Sequence, residues 1–276
     1  MANFHSDEWV INGVRKHYEE ALKLFPADRI VGVFAQGSMN YGLDYEGSDI
    51  DTKCFLVPTL EDIIFNKKPI STTHIRANEE HIDFKDIRLF LTTVRKQNLN
   101  FMEILFTKYK IVNPTYEPMW NRLIENNEQI ARYNPVGAVK TMKGIAMEKY
   151  HAMEHRYPSK VDLIDTWGYD PKQLHHLLRV EEYLHRYLSG EKYADCLYSR
   201  MGDFLQRVKN TKNLVYQLDE ARKIAVDSLA QVVKMADDFS ARHADDPVDW
   251  HVDVLLDDVQ RDIMKLGIEL EMQKGE

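Results

Sequence analysis

The chain has 276 residues, with 44 acidic and 36 basic side chains and a formal net charge of −8. Its 44% hydrophobic and 29% charged residues exclude wholesale disorder, and the length allows one large domain or two ordinary ones. The acidic balance excludes a generally basic nucleic-acid coat, and two cysteines, Cys54 and Cys196, exclude a disulfide scaffold or a structural zinc site. The first residues show no basic segment followed by an apolar run, and no stretch of about 18 apolar residues occurs anywhere. The expectation is a soluble, cytoplasmic chain with no membrane association.

A first helix is expected from Ser6, which can cap it, through Trp9, Val10, Val14, Tyr18, Ala21, Leu22 and Phe25 to a stop at Pro26. Ile30 to Ala35 reads as a strand, followed by the polar turn Gln36-Gly37-Ser38 and a Gly-rich segment from Met39 to Ser48. A second strand is expected over Asp49 to Val57, ended by Pro58, then a short helix over Thr59 to Phe65. Ser71 to Arg76 and His81 to Phe84 read as two strands of a hairpin. Ile87, Phe90, Leu91 and Val94 share one helix face, and a second amphipathic piece runs through Phe101, Ile104 and Leu105. Beyond Tyr133 the pattern is helical, over 135–156, 171–189, 197–209, 214–240 and 249–272. The chain thus divides into an α/β part and an all-helical part, with a soft boundary at 112–134.

The most informative stretch is Gly37-Ser38, ten residues, then Asp49-Ile50-Asp51. On a strand, side chains two apart share a face, so Asp49 and Asp51 would project together while Ile50 enters the core. Two adjacent carboxylates repel unless a cation lies between them, and a hard divalent ion such as Mg²⁺ is bound by carboxylate oxygens and substrate phosphates. Asp83, in the apolar-Asp-apolar setting Ile82-Asp83-Phe84, is the third carboxylate that would complete a two-metal site. Gly37 allows close backbone approach to a ligand, and the Ser38 hydroxyl can donate to phosphate oxygens.

The set of Gly37-Ser38, the Gly-rich spacer, Ser48-Asp49-Ile50-Asp51 and the later Asp83 resembles the nucleotidyltransferases of the DNA polymerase β superfamily. More narrowly, Gly37-Ser38-Met39-Asn40-Tyr41-Gly42-Leu43, the segment from Asp83-Phe84 through Arg88-Leu89-Phe90 to Glu103-Ile104-Leu105, and the helix with Lys172, His176 and Arg179 are similar to bacterial and phage nucleotidyltransferases associated with RNA repair. The resemblance covers roughly residues 30–190. It implies an α+β fold: a small mixed β-sheet core with flanking helices over 1–112, the catalytic domain, then an all-helical domain over 113–276. It implies transfer of a nucleoside monophosphate from an NTP, ATP among the candidates, to a hydroxyl acceptor with release of pyrophosphate, in a bacterial cell or a phage-infected host. The acceptor would be an RNA end, a small molecule or a protein. Asp49, Asp51 and Asp83 would be catalytic and would bind two Mg²⁺ ions, or Mn²⁺ in their place. Asp83 would be the base nearest the nucleophile, with Asp86 as its substitute if the alignment slips by three residues. Gly37, Ser38, Lys172, His176 and Arg179 would bind nucleotide. The overall negative charge argues against extended nucleic-acid binding.

Lys172, His176 and Arg179, at i, i+4 and i+7, fall within about 60° of one helix face and form a stripe suited to phosphates, or else a solvated face paired with Glu181 or Glu182. Lys140, Lys143 and Arg76 are weaker candidates of the same kind. One rival reading is a zinc hydrolase built on His151, Glu154 and His155, which fit a His-x-x-Glu-His pattern but lack a third ligand. Another is a non-catalytic nucleotide-binding module, against which three intact aspartates argue. Cys54 is expected to be a small buried strand residue. The acidic stretches Asp237-Asp238 and Asp245 to Asp258 are expected to be a solvated face.

Overall fold

The computed structural model describes residues 4–274. The chain forms two compact units, one made of residues 4–134 together with 248–274 and the other of Pro135–Pro247. The architecture is α+β: a mixed five-stranded sheet with flanking helices, and a helical region from residue 135 onward. Among the described residues, no helix is long and apolar enough to cross a membrane.

The first unit is built on strands β1 (Ile30–Gln36), β2 (Asp51–Leu56), β3 (Ser71–Ile75), β4 (His81–Asp86) and β5 (Lys110–Val112). Their order is β3-β4-β2-β1-β5, with β2 parallel to β4 and the other pairs antiparallel. The near-continuous apolar run of β1 is explained by cover on both faces of the sheet. On one face the helix Asp7–Leu24 lays Val10, Val14 and Ala21 against Val33, Ala35, Cys54, Leu56, Ile82 and Phe84. Its start is set as the sequence predicts: the Ser6 hydroxyl accepts the Trp9 amide at 3.2 Å, and Asp7 and Glu8 occupy the first turn. On the other face Phe34 and Phe55 meet Phe90 and Trp120, with ring centroids 4.2 Å apart for Phe34–Trp120 and 4.2 Å for Phe55–Phe90.

Several elements differ from the pattern-based expectation. β2 begins at Asp51 and ends at Leu56, so Asp49 and Ile50 precede the strand. The segment taken as a boundary, 112–134, contains two helices, Glu117–Glu125 and Asn127–Arg132, and Trp120 makes the first of them a core element. The helix expected over 135–156 ends at Ala152, and 197–209 resolves into Tyr193–Leu197 and Gly202–Val208. The final helix, Trp250–Lys274, packs on Ile87–Arg95 and Glu117–Glu125 within the first unit, although the pattern grouped it with the helical part. Val252, Leu256, Val259 and Ile263 form its buried stripe. Its acidic residues stay solvated, as expected, and several of them also form surface ion pairs. Arg95 pairs with Asp253 at 3.4 Å and with Asp257, and Arg122 pairs with Asp262 at 2.6 Å. Periodicity identifies an apolar stripe but not what covers it, which is why this docking was not legible.

Gly267 of that helix packs closely on Val57, the residue that follows β2, and on Tyr116. A Cβ there would lie 2.5 Å from Val57 Cγ1 and 3.1 Å from the Tyr116 hydroxyl oxygen. Val57 is β-branched and fully packed, so it cannot swing aside. Gly267→Ala is therefore expected to destabilise the unit by about 1–3 kcal/mol through overpacking, despite the ~1 kcal/mol gain in helix propensity. Urea unfolding at constant m-value measures the sign.

In the second unit the helices Pro135–Ala152, Pro171–Leu188 and Leu218–Arg242 pack on one another. His175 is buried there, and its Nδ1–H donates to the Leu205 carbonyl at 2.8 Å. Burial lowers its pKa from 6.5 to about 4, with Lys209, Arg179 and Lys172 acting in the same direction. Below pH 6.5 the unfolded chain takes up a proton that the folded chain refuses until about pH 4. Acidification across that window is expected to remove up to about 3 kcal/mol of stability from this unit. Denaturant midpoints at pH 7 and pH 4.5 measure the loss, and His175→Gln will flatten it.

Candidate functional site

The Gly-Ser turn and the first strand aspartate are neighbours because β1 and β2 are. Gln36, the last residue of β1, pairs across the ladder with Asp51, the first of β2. Gly37 follows with φ +81° and ψ −141°, a region essentially reserved for glycine, and Ser38 opens the short helix Ser38–Tyr41. The turn is braced from within. The Asn40 side-chain amide donates to the Ala35 carbonyl at 3.0 Å, and Thr107 donates to Asn40 Oδ1 at 2.7 Å.

Parity along the strands brings a set of polar residues to one face. Asp51, Lys53 and Phe55 alternate on β2, and Lys53 lies in register between Phe34 of β1 and Asp83 of the parallel strand β4. Asp51, Lys53 and Asp83 therefore share the face that carries the aromatic stack. Asp83 accepts from the Thr73 hydroxyl at 2.5 Å and from the Gln36 amide at 3.3 Å. Asp51 Oδ1 accepts from the His81 backbone amide at 3.1 Å.

Lys53 is the residue that sequence reasoning overlooked. It is 4% exposed, its ammonium donates to Gln36 Oε1, and it sits 5.1 Å from the centre of the Phe101 ring. Burial pulls its pKa down, while Glu103, Asp83 and Asp51 hold it up. Glu103, 2% exposed, accepts the Gly37 amide at 3.3 Å and the Asn40 side-chain amide at 3.4 Å. A signal for both existed. Lys53 is two residues from Asp51 on a strand, and Glu103 is a lone carboxylate in the apolar run Phe101 to Leu105.

The remaining candidates separate clearly. Asp49 lies in the irregular segment ahead of β2 and is exposed, so strand alternation does not pair it with Asp51. Asp86 is 1% exposed and caps the helix Ile87–Arg95, where it accepts the Arg88 amide at 2.8 Å and pairs with the Arg88 guanidinium at 2.6 Å. That carboxylate is engaged in helix capping, three residues out of phase with Asp83. Arg76 pairs with Glu80 at 2.5 Å and Lys143 with Asp237 at 2.7 Å, while Lys140 is exposed. Cys54 is fully buried and its thiol is pushed up by burial, which suits a packing role.

In the helical unit, Lys172, His176 and Arg179 keep their helical spacing along Pro171–Leu188. Lys172 is exposed, His176 half-buried and Arg179 buried. Burial first, then His175, Arg179 and Lys172, push His176 well below its ordinary value. His176 is neutral at pH 7, and two permanent cations remain on the stripe.

The zinc-hydrolase reading does not survive the local geometry. The helix carrying His151 ends at Ala152, so His155 lies beyond it and the i, i+4 relation is lost. Glu154 is paired with Arg222 at 2.7 Å. Among the described residues, no group of three or more His, Cys, Asp or Glu side chains is arranged to hold a metal ion. For a single hard cation that shares its shell with phosphate oxygens and water, the donor chemistry of Asp51 and Asp83 is suitable, since Mg²⁺ is commonly held by one or two carboxylates plus substrate.

No protein-family model and no curated protein matches the chain. Among solved structures it is similar to the crystal structure of a nucleotidyltransferase-like protein from Exiguobacterium sibiricum 255-15, at 12% identity and a TM-score of 0.32, over 96% of this chain and 91% of that one. At that level of likeness the functional argument rests on the residues of the site and not on the neighbour.

Proposed function

We propose that the chain is a nucleotidyltransferase that uses a divalent metal ion to move a nucleoside monophosphate from an NTP onto a hydroxyl acceptor, releasing pyrophosphate. The observation that carries this reading is the ladder pair Gln36–Asp51, which sets a glycine-dependent Gly37-Ser38 turn beside an aspartate, with Asp83 on the same face one strand away. In this reaction the acceptor oxygen bonds to the α-phosphorus, the α–β bridging P–O bond breaks, and the acceptor proton leaves to a base. Little covalent work falls to the protein, so alignment and charge balance suffice.

Asp51 and Asp83, with Asp49 from the preceding segment, would hold the metal, which when bound neutralises triphosphate charge and eases ionisation of the acceptor hydroxyl. Gly37 and Ser38 would bind phosphate oxygens. Asp83, held by Thr73 and Gln36, is the base in this scheme. Lys172, His176 and Arg179 are proposed nucleotide contacts, His176 as a neutral hydrogen-bonding group. The acceptor is an RNA end, a small molecule or a protein hydroxyl.

The test is label transfer. The purified chain is incubated with each α-³²P-labelled NTP, Mg²⁺ or Mn²⁺, and total RNA, protein or small-molecule extract. A labelled acceptor, formed with stoichiometric pyrophosphate, is the expected result. Absence of transfer and of pyrophosphate with all four nucleotides defeats the reading.

A further inference from the structure

The helix Asp7–Leu24 reaches the aspartates of the site from behind. Ile50 and Thr52, on either side of Asp51, are buried against that helix, and residues one turn apart on it meet them. A Cβ on Gly13 would lie 2.0 Å from Ile50 Cδ1 and 3.3 Å from its Cγ1, so Ile50 occupies the space that a side chain at position 13 would fill. Nδ1 of the fully buried His17 is hydrogen-bonded to the Thr52 hydroxyl at 2.9 Å, and its Nε2 to Glu80 at 2.9 Å. The residues leading into the helix make a third contact. Asp44, buried in the Gly-rich segment between Ser38 and Asp49, accepts the backbone amides of Phe4 and His5 at 3.1 and 2.8 Å. Taken alone, glycine is a poor choice at position 13. It stands inside the helix beside Val10, Val14 and His17, where it weakens the helix and forgoes packing. The approach of Ile50 explains it.

We infer that Gly13 is a positioning residue of the site and acts through Ile50. The seat it leaves fixes Ile50, and Ile50 fixes the carboxylates on either side of it, Asp49 and Asp51. This role rests on the nucleotidyltransferase reading and deepens it by extending the site to the first helix. Asp51 has a second restraint, its ladder pairing with Gln36. Asp49 stands ahead of the strand, outside any ladder, so the seated Ile50 on one side and the anchored Asp44 on the other are what place it. Mg²⁺ demands near-ideal octahedral geometry, and a ligand moved by more than about 0.5 Å no longer meets it.

The experiment measures Mn²⁺ affinity by electron paramagnetic resonance on the full chain, with each of the four α,β-methylene NTPs, whose α–β linkage resists transfer. The native chain is compared with Gly13→Ala, Ile50→Val and the double variant, with circular dichroism and thermal melting as folding controls. Ile50→Val removes Cδ1, the atom that the added methyl would strike. Gly13→Ala is expected to fold and to weaken Mn²⁺ binding by about 10–100-fold, the usual cost of disturbing the support behind metal ligands. The double variant is expected to bind Mn²⁺ as tightly as Ile50→Val alone, because the two changes compensate at one contact. A folded Gly13→Ala with native affinity overturns the inference and leaves the nucleotidyltransferase reading standing. A loss that the double variant does not recover overturns the route through Ile50, and the inference with it. A native chain that binds no Mn²⁺ with any nucleotide overturns both the inference and the metal-dependent reading. If Gly13→Ala fails to fold, Ile50→Ala, which empties the seat, decides: weakened Mn²⁺ binding supports the role, and native affinity in the folded variant overturns it.

Discussion

Asp51→Asn is expected to lower nucleotidyl transfer by about 10²–10³-fold, and Asp83→Asn by a similar factor, with the fold retained. Both substitutions keep the shape of the side chain and remove its charge. Asp51 stands at the first position of β2 and is only half-buried, so the strand has little stake in its carboxylate. An asparagine there can still accept the His81 amide, which bonds to Oδ1 of Asp51 in the native chain. Asp83 has more to lose. The hydrogen bonds from Thr73 and Gln36 survive substitution only with the amide oxygen turned toward them, and the Lys53 ammonium loses one of its carboxylate neighbours. The measurement is single-turnover label transfer alongside thermal melting. A variant that melts like the native chain and still transfers label at the native rate removes that carboxylate from the mechanism. Asp49→Asn provides a graded comparison, because Asp49 is exposed and sits outside the strand. A loss as deep as that of Asp51→Asn would show that the segment ahead of β2 delivers it to the metal.

Trp120→Ala carries the largest expected cost in stability, about 3–5 kcal/mol. Trp120 is fully buried and its ring packs against Phe34, Phe55 and Phe90, with centroids at 4.2, 5.9 and 5.6 Å. Phe34 and Phe55 are each two residues from a member of the site, Gln36 and Lys53, on the same strand face. The aromatic stack thus forms the floor against which the polar end of that face is held. Loss of the indole will lower the midpoint of chemical unfolding for the first unit and weaken nucleotide binding together with it. Trp120→Phe separates volume from hydrogen bonding. The indole nitrogen is buried with no hydrogen-bond partner among the described residues, so deleting it forfeits packing but no bond. A smaller loss than for alanine is expected, and an equal loss would deny the stack its role.

Much of the local structure around the candidate site was legible because it depends on neighbours in sequence. The Ser6 cap, the strand at Ile30, the Gly37-Ser38 turn and the apolar-Asp-apolar pattern around Asp83 each depend on a few consecutive residues, and each appears in the structure where its pattern put it. The pairing of Asp49 with Asp51 was read from alternation that starts only at Asp51, where the ladder with Gln36 begins. The short edge strand β5 and the two helices between 117 and 132 escaped notice because they are short, at three, nine and six residues. Lys53 was passed over for a related reason: a lysine in a strand ordinarily signals an edge or a solvated face.

Length, charge and spacing by themselves determined an acidic α+β chain with a glycine-serine turn ahead of aspartates on strands. Those properties depend on composition and on contacts within a few residues. Only the tertiary structure decided which charges neighbour one another. Parallel pairing of β2 with β4 put Lys53 beside Asp83, and the fold around the turn brought Glu103 to Gly37. Docking of the last helix drew Asp253, Asp257 and Asp262 to Arg95 and Arg122. Each of these pairs sets one negative charge against one positive charge, so they leave the net −8 unchanged and fix only which carboxylates have a cation nearby. Electrostatic partners are set by distance in space, and a linear pattern carries that distance only when the partners lie on one element.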